Sequence, residues 1–130
     1  MTSAEGALRV RALELLASDA ALAGLVHGIF DGTPPRATAP YVAVGTAEGS
    51  DWGTKDRAGR EIRLTLMLVG VGSADGDAAA ARIGAVSNAM RGPAGAWTVV
   101  AARTSRTRFT FSRDGGWRHE WVVRCRCLAA

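Results

Sequence analysis

Arg60-Glu61-Ile62-Arg63-Leu64-Thr65-Leu66-Met67-Leu68-Val69-Gly70-Val71 decides the fold of this chain. Ile62, Leu64, Leu66 and Leu68 alternate with Arg63, Thr65, Met67 and Val69, the period of a strand with one apolar and one mixed face. Such a strand belongs in a sheet covered by helices on one side and facing something more polar on the other. Upstream, Pro40-Tyr41-Val42-Ala43-Val44-Gly45 reads as a strand. Before it, Ile29-Phe30-Asp31-Gly32 is a short extended piece entering Thr33-Pro34-Pro35, since residues before proline leave the helical region. Residues 49–59 are polar and carry glycine. They read as a long excursion between strands, and such loops often carry function.

Working outward, residues 4–26 read as helical. Ser3 is the N-cap, Glu5 lies in the first turn, and Leu8, Ala12, Leu15 and Leu16 recur at helical spacing. Ser18-Asp19 marks a break and restart. A second helix starts from Asp75 or Asp77 and runs through Met90, burying Ala79, Ile83, Val86 and Met90, until Gly92-Pro93 ends it. Residues 97–104 form a strand. Phe109 and Phe111 continue extended and alternate as core residues would. Asp114-Gly115-Gly116 is a turn. In the last strand, residues 117–128, His119, Trp121, Val123, Cys125 and Cys127 share one face. Glu120, Val122, Arg124 and Arg126 share the other. Helix, strand, strand, helix, strand, strand gives an α+β fold: two layers, a mostly antiparallel curved sheet packed by two helices. The 130 residues are expected to form a single domain, 1–130.

The 48% hydrophobic and 22% charged residues are those of a globular protein. The longest apolar stretches, near residues 64–71 and 97–102, are far short of the roughly 20 residues of a membrane helix. Met1-Thr2-Ser3-Ala4-Glu5 lacks the basic start and apolar run of a secretion signal, so synthesis in the cytoplasm is expected. The net charge of +4 comes from 16 basic and 12 acidic residues, Lys55 being the only lysine. From Arg103 to Arg126 seven arginines face only Asp114 and Glu120, which concentrates positive field in the C-terminal third. DNA and an acidic protein neighbour both fit that field.

No catalytic constellation emerges. Gly70-Val71-Gly72 follows a strand, but no Gly-Lys-Ser/Thr and no third glycine at dinucleotide spacing accompany it. Asp51 and Asp56 share their loop with Lys55 and Arg57, as a solvated mixed-charge loop would. Neither His27 nor His119 has neighbours that read as a triad. Cys125 and Cys127 lie two apart in a strand, with Cα atoms nearly 7 Å apart, too far for a good disulfide. With two histidines and no further cysteine, a four-ligand zinc site is hard to assemble, and buried reduced thiols are the expectation. No cofactor is implied. Trp52, in the middle of a polar loop, has two readings: it folds back on its own domain, or it anchors a protein contact. Arg106-Thr107-Arg108-Phe109 could form a nucleic-acid stacking platform, but its alternation favours core phenylalanines.

Three blocks carry a resemblance. They are Ile29-Phe30-Asp31-Gly32-Thr33-Pro34-Pro35 leading into Ala39-Pro40-Tyr41-Val42-Ala43-Val44-Gly45; Asp51-Trp52-Gly53-Thr54-Lys55 with Gly59-Arg60-Glu61-Ile62-Arg63-Leu64-Thr65-Leu66; and Arg113-Asp114-Gly115-Gly116-Trp117-Arg118-His119. Their order and spacing over nearly the whole chain resemble the tail-completion or tail-terminator proteins of tailed phages and gene-transfer agents. The resemblance implies a structural virion component at the head–tail junction, not an enzyme. It implies a ring, usually of six copies, that caps the tail tube and joins it to the neck or stopper protein. DNA would pass through the lumen without sequence-specific binding, no membrane would be involved, and assembly would take place in the bacterial cytoplasm. Asp51, Trp52, Thr54, Lys55, Arg57 and Arg63 are the candidate contacts to a neighbouring copy or the tube. Arg103, Arg106, Arg108, Arg124 and Arg126 are candidates for the channel or for inter-subunit ion pairs. The competing reading is a small basic DNA-binding module acting alone.

Overall fold

The computed structural model describes residues 3–72 and 76–130. Three helices, α1 (Ala4–Ala17), α2 (Ala20–Ala23) and α3 (Asp77–Ser87), accompany six strands. The strands are β1 (Ile29–Asp31), β2 (Tyr41–Asp51), β3 (Gly59–Val71), β4 (Gly92–Ala94), β5 (Trp97–Phe111) and β6 (Gly116–Ala129). They form one sheet in the order β1-β2-β3-β6-β5-β4, antiparallel except for β1 beside β2. The α+β expectation holds: β1 is the extended piece expected at residues 29–32, β4 is added at the other edge, and the break at Ser18-Asp19 makes three helices where two were expected.

The apolar face of β3 decides the core, as its alternation requires. Ile62, Leu64, Leu66 and Leu68 are fully buried beside Trp121, Val123, Cys125 and Cys127 of β6. Leu8, Ala12 and Leu16 of α1 and Ile83 and Val86 of α3 close over them. Each such side chain taken from water contributes about 1.5–3 kcal/mol. Ser3 caps α1, its hydroxyl accepting from the Gly6 N–H at 3.0 Å. Asp19 caps α2 through the Leu22 N–H at 2.9 Å and pairs with Arg82 of α3 at 2.6 Å. The Arg82 hydrogen bond, with that from Leu22, holds the Asp19 carboxyl below its ordinary range. Arg11 ties α1 to the chain leaving α3, donating to the carbonyls of Met90 at 2.7 Å and Pro93 at 3.0 Å.

Several boundaries differ from expectation. α3 ends at Ser87 rather than Met90, because the Ser87 hydroxyl and the Asn88 amide both donate to the Gly84 carbonyl. Such side-chain bonds compete with continued helix. Asp77 is the first residue of α3 and Gly76 its cap; Asp75 lies outside the described residues. β2 does not stop at Gly45 but runs to Asp51, pairing with β3 as far as Asp51 opposite Arg60. A one-residue bulge between Val44 and Ala47 takes up the irregularity at Gly45-Thr46. The connecting loop is therefore only residues 52–58.

Phe109 and Phe111 are not core residues: they are 47% and 76% exposed. Both point to the helix-covered side, opposite His119 and Trp117, but the distal part of β5 is exposed there. Their alternation is that of a strand, and the expected cover is missing. Phe109 instead stacks on Trp117, with ring centroids 5.6 Å apart, and meets Phe111 edge-on at 5.0 Å.

Candidate functional site

The sheet face opposite the helices is where the charge collects. Cross-strand register builds it row by row. Glu48 of β2, Arg63 of β3, Arg124 of β6 and Arg103 of β5 are successive partners in one row. Ser50, Glu61, Arg126 and Ala101 form the next. Toward the other end, Thr65, Val122 and Arg106 make a row, and Met67, Glu120 and Arg108 another. Like charges directly opposite on a sheet repel, so the run Arg63–Arg124–Arg103 needs compensation. Glu61 supplies part of it, at 3.3 Å from Arg124 and 3.0 Å from Arg126. The hydrogen bond from Arg126, with the charges of Arg124 and Arg63, keeps the Glu61 carboxyl below its ordinary range. Arg103, Arg106 and Arg108 make no ion pair with another described residue.

One bulge puts those three arginines on one face. Arg103 and Arg106 differ in parity and would point to opposite sides of a regular strand. The extra residue between Thr104 and Arg106 resets the alternation, and a second lies between Val99 and Ala101. The same face is concave. A hollow of about 560 Å³ is lined by Thr46, Glu48, Arg63, Thr65, Arg106 and Val122, drawn from four strands, with Ser105. It is open and polar, unlike the mostly apolar sites that enclose small ligands.

The loop candidates lie together at one end of this face but are knit to their own chain. The Thr54 hydroxyl accepts from the Asp56 and Arg57 N–H groups at 3.4 and 3.3 Å. Asp51 accepts from the Gly53 N–H at 3.4 Å. Arg57 donates to the Ala129 carbonyl at 2.6 Å, and Lys55 is exposed. Trp52 is half-buried, with the Arg126 guanidinium 5.1 Å from its ring centroid. It thus folds onto its own sheet and joins the loop to the arginine face. Arg63 sits apart from the loop, in the row with Arg103 and Arg124. Glu48 and Glu61, the acids that balance the face, were not singled out from sequence. Their parity with Arg63 was the available signal.

Among the described residues no group of three His, Cys, Asp or Glu could hold a metal ion. Burial pushes the free thiols of Cys125 and Cys127 up to about 12 and about 11. His119 lies under Trp121, with centroids 4.1 Å apart, and desolvation lowers its pKa. No helix among the described residues is long and apolar enough to cross a membrane.

The sheet thus presents an open, concave, charged face with the apolar core behind it. The family described as tail completion protein gp17 matches residues 11–129, and the chain belongs to it. This membership gives the protein a structural role in the tail or neck of a phage-like virion. Among solved structures, a chain from the virion of a native gene transfer agent particle is similar at TM-score 0.81 and 26% identity. The match covers 98% of this chain and 100% of that one. None of the curated proteins compared matches this chain.

Proposed function

We propose that the chain, as one domain, is the subunit of a tail-terminator ring, six copies around an axis, and acts by assembly rather than by catalysis. The ring caps the tail tube and joins it to the neck protein. The observation that carries this reading is the pairing of family with geometry. This chain belongs to the tail completion family and places its helices on one side of the sheet and a concave face rich in arginine on the other. In a ring, that concave face lines the channel, where DNA passes. Glu61, paired with Arg124 and Arg126, and Glu48 and Glu120 on the same face lower its net positive charge, since each neutralised phosphate would add affinity and slow passage.

Negative-stain imaging of the purified protein, alone and with tail tubes, tests the reading. Closed rings, or discrete caps on tube ends, are expected. Particles made without this protein should carry tubes that remain unjoined to heads. A folded protein that stays monomeric with and without tubes, yet binds duplex DNA with a steep salt dependence, would favour the lone DNA-binding module instead.

A further inference from the structure

The sheet has two open edges, and they are complementary. On β2 the covering strand β1 ends at Asp31 opposite Val44, leaving residues 46–51 with no strand outside them among the described residues. On β5 the covering strand β4 pairs only Trp97, Thr98 and Val99, so residues 100–111 have no strand outside them among the described residues. Thr104 is engaged there, its N–H donating to the Asn88 side-chain oxygen at 3.1 Å. Open edges present unpaired backbone groups and are templates for another strand. The β2 segment, Thr46-Ala47-Glu48-Gly49-Ser50-Asp51, carries two acids and no base. The β5 segment carries Arg103, Arg106 and Arg108 and no acid.

Their placement also fits. Asp51, Gly59, Leu128 and Thr98 mark one end of the sheet, and Tyr41, Val71, Gly116 and Phe111 the other. The open half of β2 lies at the first end and the open half of β5 at the second. β2 and β5 run in opposite directions. Rotation about a ring axis preserves strand direction, so β5 of one copy meets β2 of the next antiparallel. The offset of half a strand is the shear that tilted strands supply when a sheet closes on itself. We infer that the subunits join edge to edge, β5 of one copy adding to β2 of a second copy of this chain, so that the sheets form one continuous cylinder. Such a contact is heterologous and closes by rotation. The inference rests on the ring reading and specifies its interface.

Charge exchange between the edges tests it. R106E/R108E and E48R/D51R are purified separately, and circular dichroism and Tm confirm that each folds. Each alone should give fewer rings than the unsubstituted protein by at least about tenfold, because its two edges now carry like charge. Mixed one to one, each edge again meets its opposite, and rings should return with the two variants alternating. If a reversal prevents folding, the neutral R106Q/R108Q variant must lower ring yield and weaken its dependence on salt. Rings that persist in both charge variants, or a mixture that restores nothing, overturn the edge pairing and leave the ring standing. An unsubstituted protein that never forms rings, in solution or on tubes, overturns the ring and the interface with it.

Discussion

The Trp117 indole lies directly against Gly70: a Cβ built there would fall 2.2 Å from the ring, and one on Gly76 would fall 2.4 Å from it. Two glycines, one on β3 and one capping α3, thus form the bed of a buried tryptophan at the turn end of the β5–β6 hairpin. Gly70→Ala should destabilise the fold by about 1–3 kcal/mol through overpacking, read as a lower denaturant midpoint with unchanged slope. An unchanged midpoint would mean that the indole has room to move away.

Phe111 and Trp121 offer a contrast between surface and core. Trp121 is 4% exposed and Phe111 76% exposed. Trp121→Ala should cost about 3–5 kcal/mol, whereas Phe111→Ser should change stability by less than about 0.5 kcal/mol. Thermal unfolding of the two variants separates them. A large loss from Phe111→Ser would mean that the hairpin tip is covered within the subunit.

Acid should loosen the arginine face. The Glu61 carboxyl is held below its ordinary value of 4.5 in the folded chain, first by the Arg126 hydrogen bond and then by nearby arginine charge. A depressed carboxylate contributes stability above its unfolded pKa and loses it as pH falls through the folded value. Glu61→Gln should therefore flatten the stability profile below pH 4.5 while lowering stability near neutrality. Parallel profiles for the two proteins would contradict this.

The thiols should be silent until the chain opens. Cys125 and Cys127 are 0% and 1% exposed, and their thiols titrate at about 12 and about 11. Titration with a chromogenic disulfide reagent near pH 8 should find no fast-reacting thiol in the native protein and both in denaturant, because the thiolate is the reactive form. A thiol raised on folding stabilises below its unfolded pKa and loses that contribution as pH rises through the folded value. Stability should accordingly decline from about pH 9 upward. A rapid native reaction would place a cysteine at the surface.

Trp52 should matter more to assembly than to folding. Its contact with Arg126 is a cation–π pair worth about 0.5–1 kcal/mol at a partly exposed position. Trp52→Ala should keep the monomer folded with a small loss in Tm and reduce attachment to tubes. Attachment at the unsubstituted level would remove the loop from the binding surface.

The strong periodicities carried most of the fold. β3 announced itself through four leucine or isoleucine positions at period two, and the first helix through Leu8, Ala12 and Leu16. Short β4 had no such signal and β1 only the prolines that follow it, because three-residue strands are held by their neighbours rather than by their own pattern. The end of β2 was hidden by Gly45 and Gly49, whose weak strand preference is overridden by pairing with β3. The site was half visible. Clustered arginines stood out, but their common face depends on a bulge that no local pattern marks. Phe109 and Phe111 looked apolar and periodic, and sequence carries no sign of how far a covering helix extends.

The bulges have a consequence for the subunit before it meets its neighbours. Two of the three sit just where a guarding strand gives out: after Val44, where β1 ends, and after Val99, where β4 ends. The extra residue adds local twist and turns the exposed rim out of plane. Newly made copies crowded in a host cell then make poor seeds for cross-β fibres, which stack flat strands in register.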